Sequence, residues 1–381
     1  MAYFNNAATT YPKPEEMYKF MNSYYQSSGV SIGRENSFIS KNAEAIVQET
    51  RNKIQVLLKC NAKEVLFQPS ATIALNVVIQ GIIKAGAYNI YISPFEHNAV
   101  TRILHSFEKL NIIKIHKLSV NNDLSFDIER TKYQFDAVKP DLVIVSHASN
   151  VIGLVLPVEE IFTLAKKYDS ITLVDMAQTA GLINCNLNNE IFDYAVFAGH
   201  KTLYGPTGIS GFIMKPDIYI EPVLFGGTGY DSANQDMPHQ LPERFEIGTL
   251  NLLGIAGLYA SLHWIETTSI NNIRTIEKNN RKKLIELLSK YWFIKLIGNN
   301  ENLEYVGIVS CLIDGISSDS AGVLFHKYGI HIRTGLHCAP LAHQFLNTYP
   351  TGTIRFSVSY FTSEKDFNEL EQALDNINKS L

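Results

Sequence analysis

Short apolar runs bounded by polar turns recur through the first two thirds of the chain. They alternate with segments whose apolar residues fall at helical spacing. Residues 65–68 read as a strand, and Ser70-Ala71-Thr72 then opens an apolar helix running toward Ile83. The pattern predicts further strands at 89–93, 142–146, 171–175, 194–198 and 211–215, with a helix over 158–168. Strand-then-helix repetition predicts an α/β architecture with a mostly parallel sheet. The long segment 225–243, rich in Gly, Asp and Pro, predicts a functional loop.

After Leu250 the pattern changes. A long helix over 252–265 leads toward a second domain. That domain is expected to hold strands at 306–313, 330–334 and 353–359 and a helix over 320–328. Phe367, Leu370, Leu374 and Ile377 share one face of a closing helix, a spacing suited to packing on a sheet. At 381 residues the chain is too long for one simple core. The expected division is a large domain over 15–250 and a small domain combining 1–14 with 251–381.

Composition narrows the class. With 46% hydrophobic and 18% charged residues, the chain reads as an ordinary globular protein. A formal net charge of −4 gives no reason to expect nucleic acid, and Arg281-Lys282-Lys283 reads as a solvated helix face. The start of the chain lacks the features of a signal peptide, and no apolar run reaches spanning length. The expectation is therefore a cytoplasmic protein with no membrane partner. The four cysteines, at 60, 185, 311 and 338, form no CxxC pair and are expected as free thiols.

The chemistry concentrates around VFAGHKTLYGP at 196–206, which sets Lys201 between an apolar strand and a Gly-Pro turn. Upstream lie SHASNVIG at 146–153 and LVDMAQTAG at 173–181. Together they look like a pyridoxal-phosphate (PLP) site. An amine, Lys201, would hold the aldehyde, and a carboxylate, Asp175, would keep the pyridinium protonated. Asp175 ends an apolar strand, where ligands bind in open α/β sheets, and Gln178 could face the same site. GHKT resembles a P-loop but lacks the required glycine spacing.

Other residues carry more than one reading each. Ser70-Ala71-Thr72 at a helix start is a phosphate cradle or a plain N-cap. His97 stacks on a planar cofactor, shuttles protons, or is structural. Cys338 lies in the polar loop RTGLHCAP, where Arg333 and His337 would favour the thiolate. A metal site through His337, Cys338 and His343 lacks a fourth ligand. Arg355 is a lone charge in an apolar strand, suited either to a substrate carboxylate or to an internal salt bridge.

These motifs, in this order, resemble the class V aminotransferase-like PLP enzymes, and within them the SufS-like (group II) cysteine desulfurases. The resemblance runs from Tyr3-Phe4-Asn5-Asn6-Ala7-Ala8 almost to the C-terminus. It rests on FxGHKxLYGPxG, RTGxHCA and ERFExGTxN at 243–251. It implies a fold-type I transferase, with a mostly parallel seven-stranded sheet in the large domain and a small α+β domain. Lys201 would carry PLP as an aldimine and move protons. Asp175 and Gln178 would contact the pyridine nitrogen and phenolic oxygen, and His97 would stack on the ring. The backbone of Ala71, together with Thr72 and His200, would hold the phosphate, with Thr249 reaching it from the other subunit of a homodimer. Asn150 and Arg355 would bind the substrate carboxylate, and Arg34 is a further candidate for the substrate.

Cys338 would take sulfur from L-cysteine as a persulfide, releasing L-alanine, with a protein sulfur acceptor as a further partner. A selenocysteine lyase, another C–S lyase, and an aminotransferase or epimerase of the same superfamily are the alternatives. Two positions depart from the pattern. Ala198 stands where many relatives have Ser or Thr before GHK, and Gly33 stands where relatives often have His before the residue matching Arg34.

Overall fold

The computed structural model describes residues 1–30, 32, 37–230 and 233–379. Its strands, in chain order, are β1 (Ala2–Tyr3), β2 (Glu64–Gln68), β3 (Asn89–Ile92), β4 (Lys114–Lys117), β5 (Leu142–Ser146), β6 (Ile171–Asp175) and β7 (Tyr194–Ala198). There follow β8 (Ser210–Met214), β9 (Ile294–Ile297), β10 (Ile308–Ile313), β11 (Ile330–His331), β12 (Arg333–Gly335) and β13 (Thr353–Ser357).

Seven of them form one sheet in the order β2-β8-β7-β6-β5-β3-β4. Only β8 runs against its neighbours, so the sheet is mostly parallel, as the sequence pattern predicts. The two-residue period of a strand sends alternate side chains to opposite faces, and both faces here are apolar. Phe67, Val143, Val145, Val174 and Phe197 join one core. Leu66, Ile144, Leu173, Val196 and Phe212 join another. Helices Phe38–Leu57, Val158–Lys166 and Leu252–Thr268 cover the first face. Ala71–Lys84 and Asn98–Glu108 cover the second. Burial on both faces explains why β5, β7 and β8 read as unbroken apolar runs.

A second sheet, antiparallel, has the order β12-β13-β10-β9. Its core gathers Phe293, Cys311, Phe325, Phe356 and the expected stripe Phe367, Leu370, Leu374 and Ile377. That stripe lies on helix Glu364–Asn378, whose start is fixed by a Ser363–Asp366 capping box. The N-terminal segment joins this unit. β1 pairs in parallel with β11, Phe4 is buried in the core, and the Ser357 N–H donates to the Phe4 carbonyl at 2.7 Å.

The structure departs from expectation in places. The strand expected over 330–334 is two short strands in different sheets, separated at Ile332. The pattern does not signal helices Glu15–Ser28, Phe38–Leu57 and Asn98–Glu108, and of helix Ile270–Leu288 it marks only the solvated face at Arg281-Lys282-Lys283. Among the described residues no helix is long and apolar enough to cross a membrane.

Candidate active site

The carboxyl ends of the parallel strands open onto one cleft, the usual ligand position in an open α/β sheet. Asp175 is the last residue of β6, and Lys201 follows β7 on a tight turn. The turn is tight because the Gly199 position leaves no room for a side chain: a Cβ there would lie 2.4 Å from the Ile209 carbonyl. The cleft brings together Ala71, Thr72, His97, Asn150, Asp175, Gln178, His200 and Lys201. Eight of the candidate residues thus share one wall. A roomier cleft beside helix Ile270–Leu288 holds Arg274, Glu277, Arg281 and Glu304. Those residues are largely paired with one another or with backbone, so nothing there is set up for chemistry.

Lys201 is half-buried in the cleft, and desolvation there, with Arg355 and Arg333 adding to it, pulls its ammonium pKa down to about 8; the nearby Asp175 opposes the shift. Carbonyl capture needs the neutral amine, and this shift makes a larger share of it available near physiological pH than an ordinary lysine offers. Asp175 is buried too. Burial raises its carboxyl pKa, while the Ala177 N–H at 2.9 Å and the Lys201 charge hold it down. Gln178 donates from Nε2 to the Ala7 carbonyl at 3.0 Å.

His97 caps helix Asn98–Glu108. Its Nδ1 accepts from the Ala99 N–H at 3.0 Å, which assigns the neutral ring proton to Nε2. Burial, then Lys201, Arg333 and Arg355, push its pKa down to about 4, so the ring is neutral.

At the other end of the cleft, Ser70 caps helix Ala71–Lys84. Its side chain takes the Ile73 N–H at 3.2 Å, and its carbonyl takes that of Ala74. The N–H groups of Ala71 and Thr72 remain for a ligand, at the positive end of the helix. His200 is neutral, its pKa lowered to about 4 by burial, and its Nδ1 is buried with no protein partner. Its carbonyl is a hub, accepting from Thr9 Oγ1 at 3.0 Å and Lys13 Nζ at 2.5 Å. Nothing in the sequence had marked Lys13. Ala198, also on this wall, offers only a methyl group. A helix start with unused donors, an orphaned imidazole nitrogen, a buried carboxylate and a half-buried amine together fit a phosphorylated pyridine aldehyde.

The second sheet supplies the rest. Cys338 follows β12, and its Sγ accepts from Arg333 Nη2 at 3.1 Å. The other three cysteines are buried, while Cys338 is partly exposed. His337 does not assist as a second cation. It is buried, its pKa lies well below the usual imidazole value, and its Nε2 meets Thr353 Oγ1 at 3.0 Å. The described residues contain no cluster suited to a metal.

Arg355 is 1% exposed. Its Nη1 donates to the Asn150 carbonyl at 2.8 Å and its Nη2 to Asn5 Oδ1 at 3.3 Å, while Nε has no partner. Among the described residues no carboxylate pairs with it, so the internal salt bridge is not what fills this site. Burial and Arg333 pull its pKa down to about 9.

Two candidates lie elsewhere. Thr249 is exposed and lines a separate apolar depression with Pro69 and Ile73, apart from the Lys201 cleft. Arg34, like Gly33, lies outside the described residues.

The sequence profile of the family "Aminotransferase class-V" matches residues 2–370. A probable cysteine desulfurase of Methanothermobacter thermautotrophicus is 28% identical over 385 residues, covering 98% of this chain and 94% of that one. A cysteine desulfurase of Escherichia coli is 27% identical, covering 100% of this chain and 94% of its own. Among solved structures, the apo cysteine desulfurase of Thermococcus onnurineus has a TM-score of 0.91 at 26% identity, covering 100% of this chain and 95% of that one.

Proposed function

The chain belongs to the class-V aminotransferase family, and from that premise we propose that it is a PLP-dependent cysteine desulfurase. It would transfer sulfur from L-cysteine to Cys338 and release L-alanine. One observation carries this reading: a partly exposed thiol sits against a guanidinium beside a buried arginine that has no carboxylate partner. That pairing suits an amino acid whose carboxylate is anchored and whose side chain meets a nucleophile. The curated relatives of similar length carry the same activity in their names.

PLP, when bound, supplies an aldehyde for amine capture and an electron sink at the substrate carbon. The chain's own groups do the rest. Lys201 holds the cofactor and moves the proton at the substrate Cα. Asp175 keeps a proton on the ring nitrogen, and the second N–H of Gln178 Nε2 serves the phenolic oxygen. The neutral His97 ring stacks without adding charge. The Ala71 and Thr72 N–H groups, Thr72 Oγ1 and His200 hold the phosphate. Arg355 and Asn150 take the substrate carboxylate, a position in which Arg34 would assist. Arg333 holds Cys338 Sγ through Nη2, and that sulfur attacks the substrate sulfur; the Cβ–S bond breaks with its electron pair left on the carbon that becomes the alanine methyl, and Cys338 becomes a persulfide.

The exposed Thr249 suits a homodimer in which it meets the phosphate of the partner's site. A protein thiol is the fitting sulfur acceptor, and the cytoplasm the fitting compartment. The domain division 15–250 against 1–14 with 251–381 fits the sheets, which draw on 64–214 and on 294–357 respectively, except that helix Leu252–Thr268 packs in the core of the large sheet.

The test is to incubate the PLP-loaded protein and its Cys338→Ala variant with L-cysteine, scoring alanine, sulfide and protein-bound persulfide. Wild type should give alanine and a persulfide on Cys338. The variant should lose both while its cofactor spectrum still responds to cysteine. A keto acid with pyridoxamine phosphate, or alanine at the wild-type rate from Cys338→Ala, would overturn the reading.

A further inference from the structure

Asn150 is engaged twice. Its carbonyl accepts from Arg355 Nη1 at 2.8 Å, and its side-chain Nδ2 donates to the His337 carbonyl at 2.7 Å. The second bond lands on an unusual turn. His337 and Cys338 are consecutive non-glycine residues with φ of 48° and 59°. Side chains disfavour that left-handed region, and such residues persist only where their surroundings hold them. Two contacts hold this pair from outside its own sheet. Asn150 Nδ2 takes the His337 carbonyl, and the Asn98 N–H takes the Cys338 carbonyl at 2.6 Å. Both come from segments that follow β5 and β3 of the large sheet, where the cofactor cleft lies. Of the two, only Asn150 acts through a side chain.

We propose that Asn150 is a positioning residue for the Cys338 thiol. Its amide latches the His337–Cys338 turn onto the cofactor-site loop, so that Sγ stays on Arg333. This goes beyond carboxylate binding and rests on the reading of Cys338 as sulfur acceptor. The two functions are compatible, because a primary amide has two N–H donors. One is on His337, and the other is open to a substrate.

The test compares wild type, Asn150→Ala and Asn150→Asp as full-length, PLP-loaded protein. Asn150→Asp keeps the size but turns an acceptor toward the His337 carbonyl. Iodoacetamide alkylation of Cys338 is followed by peptide mass spectrometry without substrate. The buried Cys60, Cys185 and Cys311 report whether the fold is intact. Both variants should alkylate Cys338 about tenfold faster, as expected for a turn released by local opening. The buried thiols should stay unreacted. Alanine formation should fall mainly in kcat.

Wild-type alkylation of Cys338 in Asn150→Asp, with only KM raised, would leave carboxylate binding alone and overturn the proposal. Rapid alkylation of the buried thiols in both variants would assign Asn150 to the fold as a whole and overturn it too. Failure of the desulfurase reading is visible separately, as wild type that forms no persulfide from L-cysteine. That result leaves the alkylation comparison intact.

Discussion

Arg333 and Arg355 stand directly opposite each other in the β12–β13 ladder, like charge facing like charge, and no carboxylate among the described residues pairs with either. Cross-strand pairs of like charge are destabilising. The Cys338 thiol relieves Arg333, and Asn150 and Asn5 partly satisfy Arg355. The arrangement is therefore short of one anion.

Arg355→Gln should weaken L-cysteine binding by about 2 kcal/mol, roughly 30-fold in KM. Cysteamine, which has the thiol and amine but no carboxylate, should lose little. The ratio of the two substrates in wild type and variant is the measurement. An equal loss for both would place Arg355 in support of the strand rather than on the carboxylate.

The Lys201 amine should capture added PLP with a pH profile set by its burial. Its pKa is lowered to about 8, and the neutral form is the nucleophile. Capture by cofactor-free protein should therefore rise with pH up to about 8 and level off above it, whereas an ordinary lysine would keep rising toward ~10.4. Stopped-flow absorbance across pH 6–10 reads this out. Borohydride reduction should then leave the label on the Lys201 peptide.

Ala198 brings a methyl group to the phosphate end of the cleft. Ala198→Ser should add about one charge-assisted hydrogen bond, on the order of 1.5–3 kcal/mol where water does not already fill the place. Cofactor loss on dialysis should slow accordingly. Unchanged loss would mean that His200 and the helix start already satisfy the phosphate.

Glu277 is buried, with the Gly307 N–H on Oε1 at 2.9 Å, and burial raises its carboxyl pKa to about 7. In the unfolded chain a glutamate titrates near ~4.3. The folded form binds the proton more tightly, so its stabilising effect is complete below the unfolded value and is lost as pH rises through about 7. Glu277→Gln keeps the Oε1 acceptor and removes this loss. Its Tm should exceed that of wild type at pH 8 and match it near pH 4. A Tm difference independent of pH would sink the argument.

The large sheet and half of the site were legible in the sequence because their signals are local. Buried parallel strands read as apolar runs, and their ends mark the cleft, which places Asp175 and Lys201. Arg355 stood out because a charge in an apolar strand needs a partner. The contacts that complete the site are long-range and left no local trace. Lys13 on the His200 carbonyl, Asn5 on Arg355 and Asn98 on Cys338 all join distant segments. His337 misled because sequence proximity to Cys338 says nothing of burial, and burial is what keeps its ring neutral. The run His331-Ile332-Arg333-Thr334 alternates like one strand, and only the finished fold divides it between β1 and β13 as partners. Helix Ile270–Leu288 is polar over most of its surface, so its core stripe was faint.

The pairing of β1 with β11, and of Phe4 with Ser357, has a consequence for synthesis on the ribosome. The strands of the large sheet lie within residues 64–214 and can assemble while translation continues. The strand at Ala2–Tyr3 must wait for partners more than 300 residues further along the chain. Ala2 and Tyr3 have no strand to join until Ile330 and His331 have emerged, and Asn5 has no guanidinium to meet until Arg355 has. The nascent chain thus carries a half-built pocket, with its lysine and aspartate in place and its thiol absent. On the proposed reading, sulfur chemistry is withheld until Cys338 has emerged.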